Sequence, residues 1–302
     1  MKTVVSVSVG SSARDHEVHL NLLGEEFTVK RVGTDGDINK AIAMLRELDG
    51  QVAAIGLGGL DIYLRCGQAK YALRDGAMMM EMVKKTPVVD GSGLKDTLER
   101  FTVEELQRDG RIPLRGRKVL MVSAMDRFGM AEALISAGAN VVLGDMIFAM
   151  GIDKPLTSLT ELSRYAAKLL PDLSKLPISL IYPTGKAQSQ IEPNALTTPY
   201  YQEAELIAGD FHYIRKRLLD DMSGKTILTN TVTSKDTEEL RRRGVQWLVT
   251  TTPELEGRSF GTNVMEALFL AILGKTWDEV TPQDYLELIT KLNFKPRITS
   301  LQ

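Results

Sequence analysis

The chain has 302 residues and a formal net charge of −2, with 37 Lys plus Arg set against 39 Asp plus Glu; 43% of residues are hydrophobic. That length holds two domains of ordinary size, and the near-balance of charge excludes a protein-wide field for nucleic acid or a membrane surface. One cysteine, Cys66, excludes an intrachain disulfide and a zinc site built on cysteines, and this fits a reducing cytoplasm.

The opening run alternates Val and Ser from Thr3 to Val9, which reads as a strand rather than a leader. It ends in Gly10-Ser11-Ser12, either an ordinary turn or one in which Ser11 and Ser12 face a ligand. His16 and His19 can share a helix face, but no carboxylate spacing completes a metal site, so no metal is expected. Phe27–Val32 reads as a second strand, Ile38–Leu48 as an amphipathic helix capped by Asp37, and Val52–Leu57 as a third strand that delivers Asp61. Tyr71–Lys85 reads as a helix bearing a methionine cluster. Pro87–Val89 then leads into Asp90-Gly91-Ser92-Gly93 and a helix from Leu94 to Arg108. Asp109-Gly110 and Pro113 punctuate the chain, dividing it into an N-terminal α/β domain, 1–112, and a second domain, 113–302.

Gly116 to Asp145 carries the outline of a dinucleotide-binding βαβ unit: strand Lys118–Ser123, turn, helix Met130–Ala137, strand Asn140–Leu143, then Asp145. If Gly129 is the third glycine of the fingerprint, Ala124 and Asp126 stand where the first two belong. A carboxylate at the second position repels a pyrophosphate. Beyond it, Ile178–Tyr182 reads as a strand before Pro183–Lys186, and Glu192–Tyr201 as a loop. Strands at Glu205–Ala208, Thr226–Asn230 and Val245–Thr250 follow, then an apolar helix, Val264–Gly274, and a last helix, Thr281–Leu292. The expected class is therefore two α/β domains, the second a Rossmann-like doubly wound parallel sheet. No apolar run is long enough for a transmembrane helix, so a cytoplasmic protein with no membrane or nucleic-acid partner is expected. The methionine cluster and the apolar helix are compatible with a homodimer.

The polar clusters follow predicted strands, where open parallel sheets bind ligands. Asp90 with Lys95 or Lys70 reads either as an acid–base pair on a substrate hydroxyl or as a turn aspartate beside solvated lysines. Asp145 reads as a ribose ligand or a helix cap, and Arg127 as a phosphate contact or a salt bridge. Asp210 and His212 form a candidate acid–base couple or a structural pair. Gly261 and Asn263 open a helix whose N-terminus suits an anion or an amide.

The runs DGSGLKDTLER, SAMDRFGMAEAL and GRSFGTNVMEA, with GDFHYI and ILTNTVT between the latter two, resemble a bacterial family labelled quinate 5-dehydrogenase or shikimate-dehydrogenase-like. The resemblance implies a substrate domain, a nicotinamide-binding domain and a cleft between them. It implies catalysis by an aspartate, matched here by Asp90, and by a lysine for which Lys70 and Lys95 are the candidates. It also implies a cofactor, NAD or NADP, lying over Ser123, Ala124, Asp126, Arg127 and Gly129, with Thr231, Gly261 and Asn263 nearby. Asp145 would then hold a ribose, and NAD is slightly favoured because no arginine follows that acid. Ser11, Ser12, Asp61, Ser92, Asp210 and His212 would meet a small polar acid. Two alternatives remain: an enzyme using another nucleotide or phosphate ligand, and a non-catalytic binding protein.

Overall fold

The Val/Ser alternation of β1 (Lys2–Ser8) sorts its residues between two layers. Val5, Val7 and Val9 pack with Ala41 and Leu45 of a helix on one face, while Val4 packs with Val264 and Leu268 on the other. A 3-10 turn, Ser12–Arg14, follows, then β2 (His16–Leu22), β3 (Glu25–Gly33), α1 (Ile38–Leu48) and β4 (Ala54–Gly58). A hairpin, β5 (Tyr63–Cys66) and β6 (Ala69–Ala72), leads to α2 (Arg74–Met80), β7 (Val88–Val89) and the long α3 (Ser92–Asp109). The sheet order is β2-β3-β1-β4-β7, parallel except for β2. This is a computed structural model, and it describes residues 1–67, 69–181, 190–252, 254–255 and 258–302.

The second sheet begins with β8 (Lys118–Met121), α4 (Phe128–Ser136), β9 (Asn140–Leu143) and α5 (Asp145–Phe148). Next come α6 (Leu159–Leu173), α7 (Ile178–Ile181), α8 (Thr198–Glu203), β10 (Leu206–Ala208) and α9 (Phe211–Lys216). β11 (Thr226–Thr229), α10 (Ser234–Arg242) and β12 (Trp247–Thr250) complete its parallel strands. A short ribbon, β13 (Glu254–Leu255) and β14 (Arg258–Ser259), precedes α11 (Thr262–Leu273), α12 (Pro282–Lys291) and β15 (Arg297–Ser300). The order is β15-β12-β11-β10-β8-β9, with only β15 antiparallel. Val119 and Met121 of β8 join one core and Leu120 and Val122 the other, so the sheet is covered on both faces. The strand order reverses between β8 and β10, and the crevice beyond their carboxyl ends is where such sheets bind ligands.

Several local expectations change. His16 and His19 lie on a strand, where residues three apart face opposite ways, and not on a helix. The expected helix over Tyr71–Lys85 begins only at Arg74, because Ala69–Ala72 pairs with Tyr63–Cys66. Ile178–Ile181 is a helical turn rather than a strand. Pro183–Lys186 and Gly257 lie outside the described residues. The largest difference concerns α11 and α12. Both pack on the first sheet, where Met265, Phe269, Tyr285 and Ile289 share a core with Phe27, Val29, Leu94 and Leu98. The chain therefore crosses between the sheets at α3, at the entry to α11 and before β15, and a single division at 112/113 does not separate the two layers. Gly56 of β4 lets α11 approach: a Cβ there would stand 2.7 Å from the Asn263 carbonyl oxygen. Among the described residues no helix is long and apolar enough to cross a membrane.

Candidate functional site

The strand ends of the two sheets face a shared cleft of about 230 Å³. Lys95 of α3 reaches its wall. Leu94 and Leu98 anchor this helix in the first core, which leaves Lys95, Glu99 and Thr102 as a buried polar stripe at helical spacing. Lys95 Nζ donates to Asp126 Oδ1 at 2.7 Å and lies 3.5 Å from Asp61 Oδ1. Asp61 follows β4 and Asp126 follows β8, so one ammonium joins loops from both sheets. The Lys95 side chain is 8% exposed, while Asp61 and Asp126 keep 26% and 24% exposure toward the cleft.

The two carboxyl groups titrate apart. Burial and the charge of Asp126 push Asp61 well above the usual carboxylate range, against the pull of Lys95. Burial also works to raise Asp126, but Lys95 and Arg127 overcome it and hold that group low. Burial acts to lower Lys95, and its two aspartates more than offset this, so its pKa is raised. The resulting array sets Asp61, which holds its proton more tightly than an ordinary carboxyl, beside Asp126, which releases its proton more readily, with the Lys95 ammonium between them.

Arg127 lies behind this array. It is 3% exposed, ion-pairs with Glu99 and with Asp210 at 3.1 Å, and places Nε 3.8 Å from Asp126 Oδ2. Burial pushes Glu99 up to about 7 even against Arg127 and Lys95. Asp210 caps α9 by accepting from the His212 amide at 2.9 Å. Arg14 Nη1 lies 2.8 Å from His212 Nε2 across the cleft. A guanidinium only donates, so Nε2 accepts and the ring proton sits on Nδ1. Arg31 donates to Ser8 Oγ at 3.0 Å and to Asp15 at 2.9 Å, and His16 sits beside Phe260, so two guanidiniums and two imidazoles line the mouth.

The turn after β8 departs most from the sequence outline. Asp145 Oδ1 accepts from the amides of Ala124 at 2.9 Å and Met125 at 2.8 Å. Its Oδ2 is buried with no hydrogen-bond partner among the described residues, and burial pushes the group up to about 6. The amides that would cradle a pyrophosphate are thus taken by an internal carboxylate. Gly129 has a packing reason: a Cβ there would stand 2.3 Å from Asp96 Oδ1 and 2.8 Å from the Asp96 carbonyl oxygen, so the residue lets α4 lie against α3. Ala124 is fully buried and, like Gly129, lies off the cleft wall. The Ala124 and Met125 amides are therefore not free donors for a pyrophosphate in this turn.

Of the remaining candidates, the structure brings Asp61, Asp90, Lys95, Ser123, Asp126, Arg127, Asp145, Asp210, His212, Thr231, Gly261 and Asn263 to the cleft wall. Asp90 is not paired with Lys95 there: it accepts from the amides of Ile62, Tyr63 and Ser92, closing its own turn. Asn263 Nδ2 donates to Ser6 Oγ at 2.7 Å. Lys70 lies elsewhere, 3.5 Å from the Tyr63 ring centre and 4.5 Å from that of Trp277, and Ser92 lines the same small depression. Ser11 caps the 3-10 turn, and the Ser12 amide donates to Asp35. Glu99, Arg14 and Arg31 were not singled out from sequence; the Lys95–Glu99 spacing on a helix anchored by Leu94 and Leu98 is the signal for the first. No group of three or more metal-ligating side chains is gathered among the described residues.

Fold and cleft define a two-domain α/β protein with mostly parallel sheets. The chain belongs to the family described as Domain of unknown function (DUF8754), which matches residues 93–301; Domain of unknown function (DUF8753) matches residues 3–90. A comparison with curated proteins found no match. Among solved structures the chain is distantly similar to a hetero-hexameric glutamate dehydrogenase from Thermus thermophilus, at 14% identity and a TM-score of 0.43 over 97% of this chain and 73% of that one. It is also similar to an ABC transporter solute binding protein from Agrobacterium vitis with bound allitol, at 12% identity and a TM-score of 0.40 over 96% and 99% of the two chains.

Proposed function

We propose that the cleft binds a small hydroxy acid and that the Lys95–Asp126–Asp61 array gives or takes the proton of its hydroxyl. The observation that carries this reading is the Lys95 ammonium held between carboxyl groups of opposite titration behaviour on the wall of an interdomain cleft. Asp126 supplies the acceptor, Asp61 the donor, and Lys95 stabilises the oxyanion that forms when the hydroxyl proton leaves. The Arg14 and Arg31 guanidiniums at the mouth, although Arg31 is paired with Asp15, supply positive charge toward a ligand carboxylate.

The resemblance to quinate and shikimate dehydrogenase-like proteins supports a particular form of this reading, an oxidoreductase acting on a hydroxyl of quinate or shikimate. NAD or NADP would supply the hydride chemistry in such an enzyme. The closed turn after β8 argues against a dinucleotide at Ser123–Gly129, so the reading rests on the proton-handling residues alone. A non-catalytic binding role is favoured by one observation: with its pKa raised, Lys95 holds its proton and acts as a donor rather than a base.

A thermal-shift panel of quinate, shikimate, short 2-hydroxy acids, NAD and NADP tests the reading, since a ligand of the native state raises Tm. The hydroxy acids should shift the transition and the dinucleotides alone should not. A shift with NAD and none with any hydroxy acid would refute the reading. A shift with unchanged ligand after prolonged incubation, read by mass spectrometry, would select the binding role.

A further inference from the structure

Three segments just past the ends of parallel strands place an acid beside an apolar residue: Leu60 next to Asp61, Met125 next to Asp126, and Met146 next to Asp145 at the start of α5. All six line the cleft. The cleft wall continues with Leu73 and with Leu170 of α6. These five apolar side chains are each no more than 8% exposed. The cationic groups come from other elements, Arg14 and Arg31 near the first sheet's edge. One wall of the cleft is therefore apolar, the mouth carries the two guanidiniums, and the proton-handling array lies among the acids that adjoin the apolar wall.

We propose that the ligand is a hydroxy acid with an apolar arm, an alkyl or aryl group lying against Leu60, Leu73, Met125, Met146 and Leu170. This rests on the hydroxy-acid reading above. Its hydroxyl meets Lys95 and Asp126, and its carboxylate meets the mouth. A polyhydroxylated ring laid against these five side chains would find no hydrogen-bond partner among them, and each group left unpaired there weakens binding. An apolar arm gains instead, by about fourfold in affinity for each methylene taken out of water. The volume of about 230 Å³ lies below the roughly 300–1,000 Å³ of sites for drug-sized ligands, which suits an acid of this size.

Calorimetric titration of the full chain with lactate, 2-hydroxybutyrate, 2-hydroxyvalerate and 2-hydroxycaproate, and with quinate and shikimate, tests the proposal. Affinity should rise by about fourfold per added methylene until the wall is covered. The longer acids should bind more tightly than quinate or shikimate, and Leu170→Ala should reduce the slope. A flat or inverted series with measurable binding of the short acids or quinate overturns the apolar arm and leaves the hydroxy-acid reading standing. Failure of every acid to bind overturns both. The wild-type series decides the matter whether or not the variant folds.

Discussion

Lys95 of α3 and Asp126 of the turn after β8 meet at 2.7 Å, joining the helix that carries the first sheet's core to the loop that opens the second sheet's ligand face. The same ammonium also lies 3.5 Å from Asp61 on a second loop, the one after β4.

Lys95→Met should destabilise the fold by about 1–3 kcal/mol at pH 7. A fully buried pair broken on one side costs roughly 3–5 kcal/mol, but Asp61 and Asp126 keep 26% and 24% exposure and are partly screened. The loss should shrink toward pH 5, where the abandoned carboxylates can protonate. Urea denaturation of wild type and variant at the two pH values checks this.

Gly129→Ala should lower stability by about 1–3 kcal/mol, because the added methyl meets the Asp96 backbone as well as its side chain. Ligand affinity should stay unchanged in the folded fraction. A change in affinity without a loss of stability would instead return Gly129 to the binding surface.

Asp145 makes stability pH-dependent in a defined direction. Its folded pKa of about 6 lies above the ordinary value of 3.8, so the native state binds the proton more tightly than the unfolded chain. The contribution is fully present below about pH 4 and is lost as pH rises through about 6, a change of roughly 3 kcal/mol at most. Asp145→Asn keeps the acceptor for the Ala124 and Met125 amides and removes the titration. Its stability between pH 4 and 6 should therefore rise relative to its own value at pH 7 by less than in wild type, as measured by chemical denaturation across that range.

Much of the fold was legible in the sequence, and the reason is local. The alternation of Thr3–Val9, the capped helix after Asp37 and the apolar runs of β8 and β9 each specify an element through near neighbours. The βαβ outline of Gly116–Asp145 also stands in the structure. What an apolar helix packs against is not local information: Val264–Gly274 is apolar apart from Glu266, and its pattern does not mark which sheet it covers. The partner of Lys95 was hidden for the same reason. Asp90 is nearer in sequence, but its turn consumes its oxygens with the amides of Ile62, Tyr63 and Ser92, and the lysine reaches Asp126 only once both sheets are in place. Asp145 could be read as an acid past a strand, yet nothing in its spacing showed that it would turn back onto the preceding loop.

Restoring the missing glycine should not create a dinucleotide site. In Asp126→Gly the Ala124 and Met125 amides still belong to Asp145, so NAD affinity should stay undetectable by calorimetry. Asp126→Gly combined with Asp145→Ser frees both amides and removes two negative charges, and should give measurable NAD binding. Binding by the single variant would show that Asp126 alone closes the turn.

The most direct test of the central claim is calorimetric titration of the tightest-binding hydroxy acid into wild type, Lys95→Met and Lys70→Met. Loss of a charged hydrogen-bond donor should weaken binding by roughly 10- to 150-fold in Lys95→Met. Lys70, which lies over the Tyr63 and Trp277 rings outside the cleft, should change affinity by less than about twofold on substitution. Wild-type affinity in a folded Lys95→Met variant, or a large loss confined to Lys70→Met, would contradict the account.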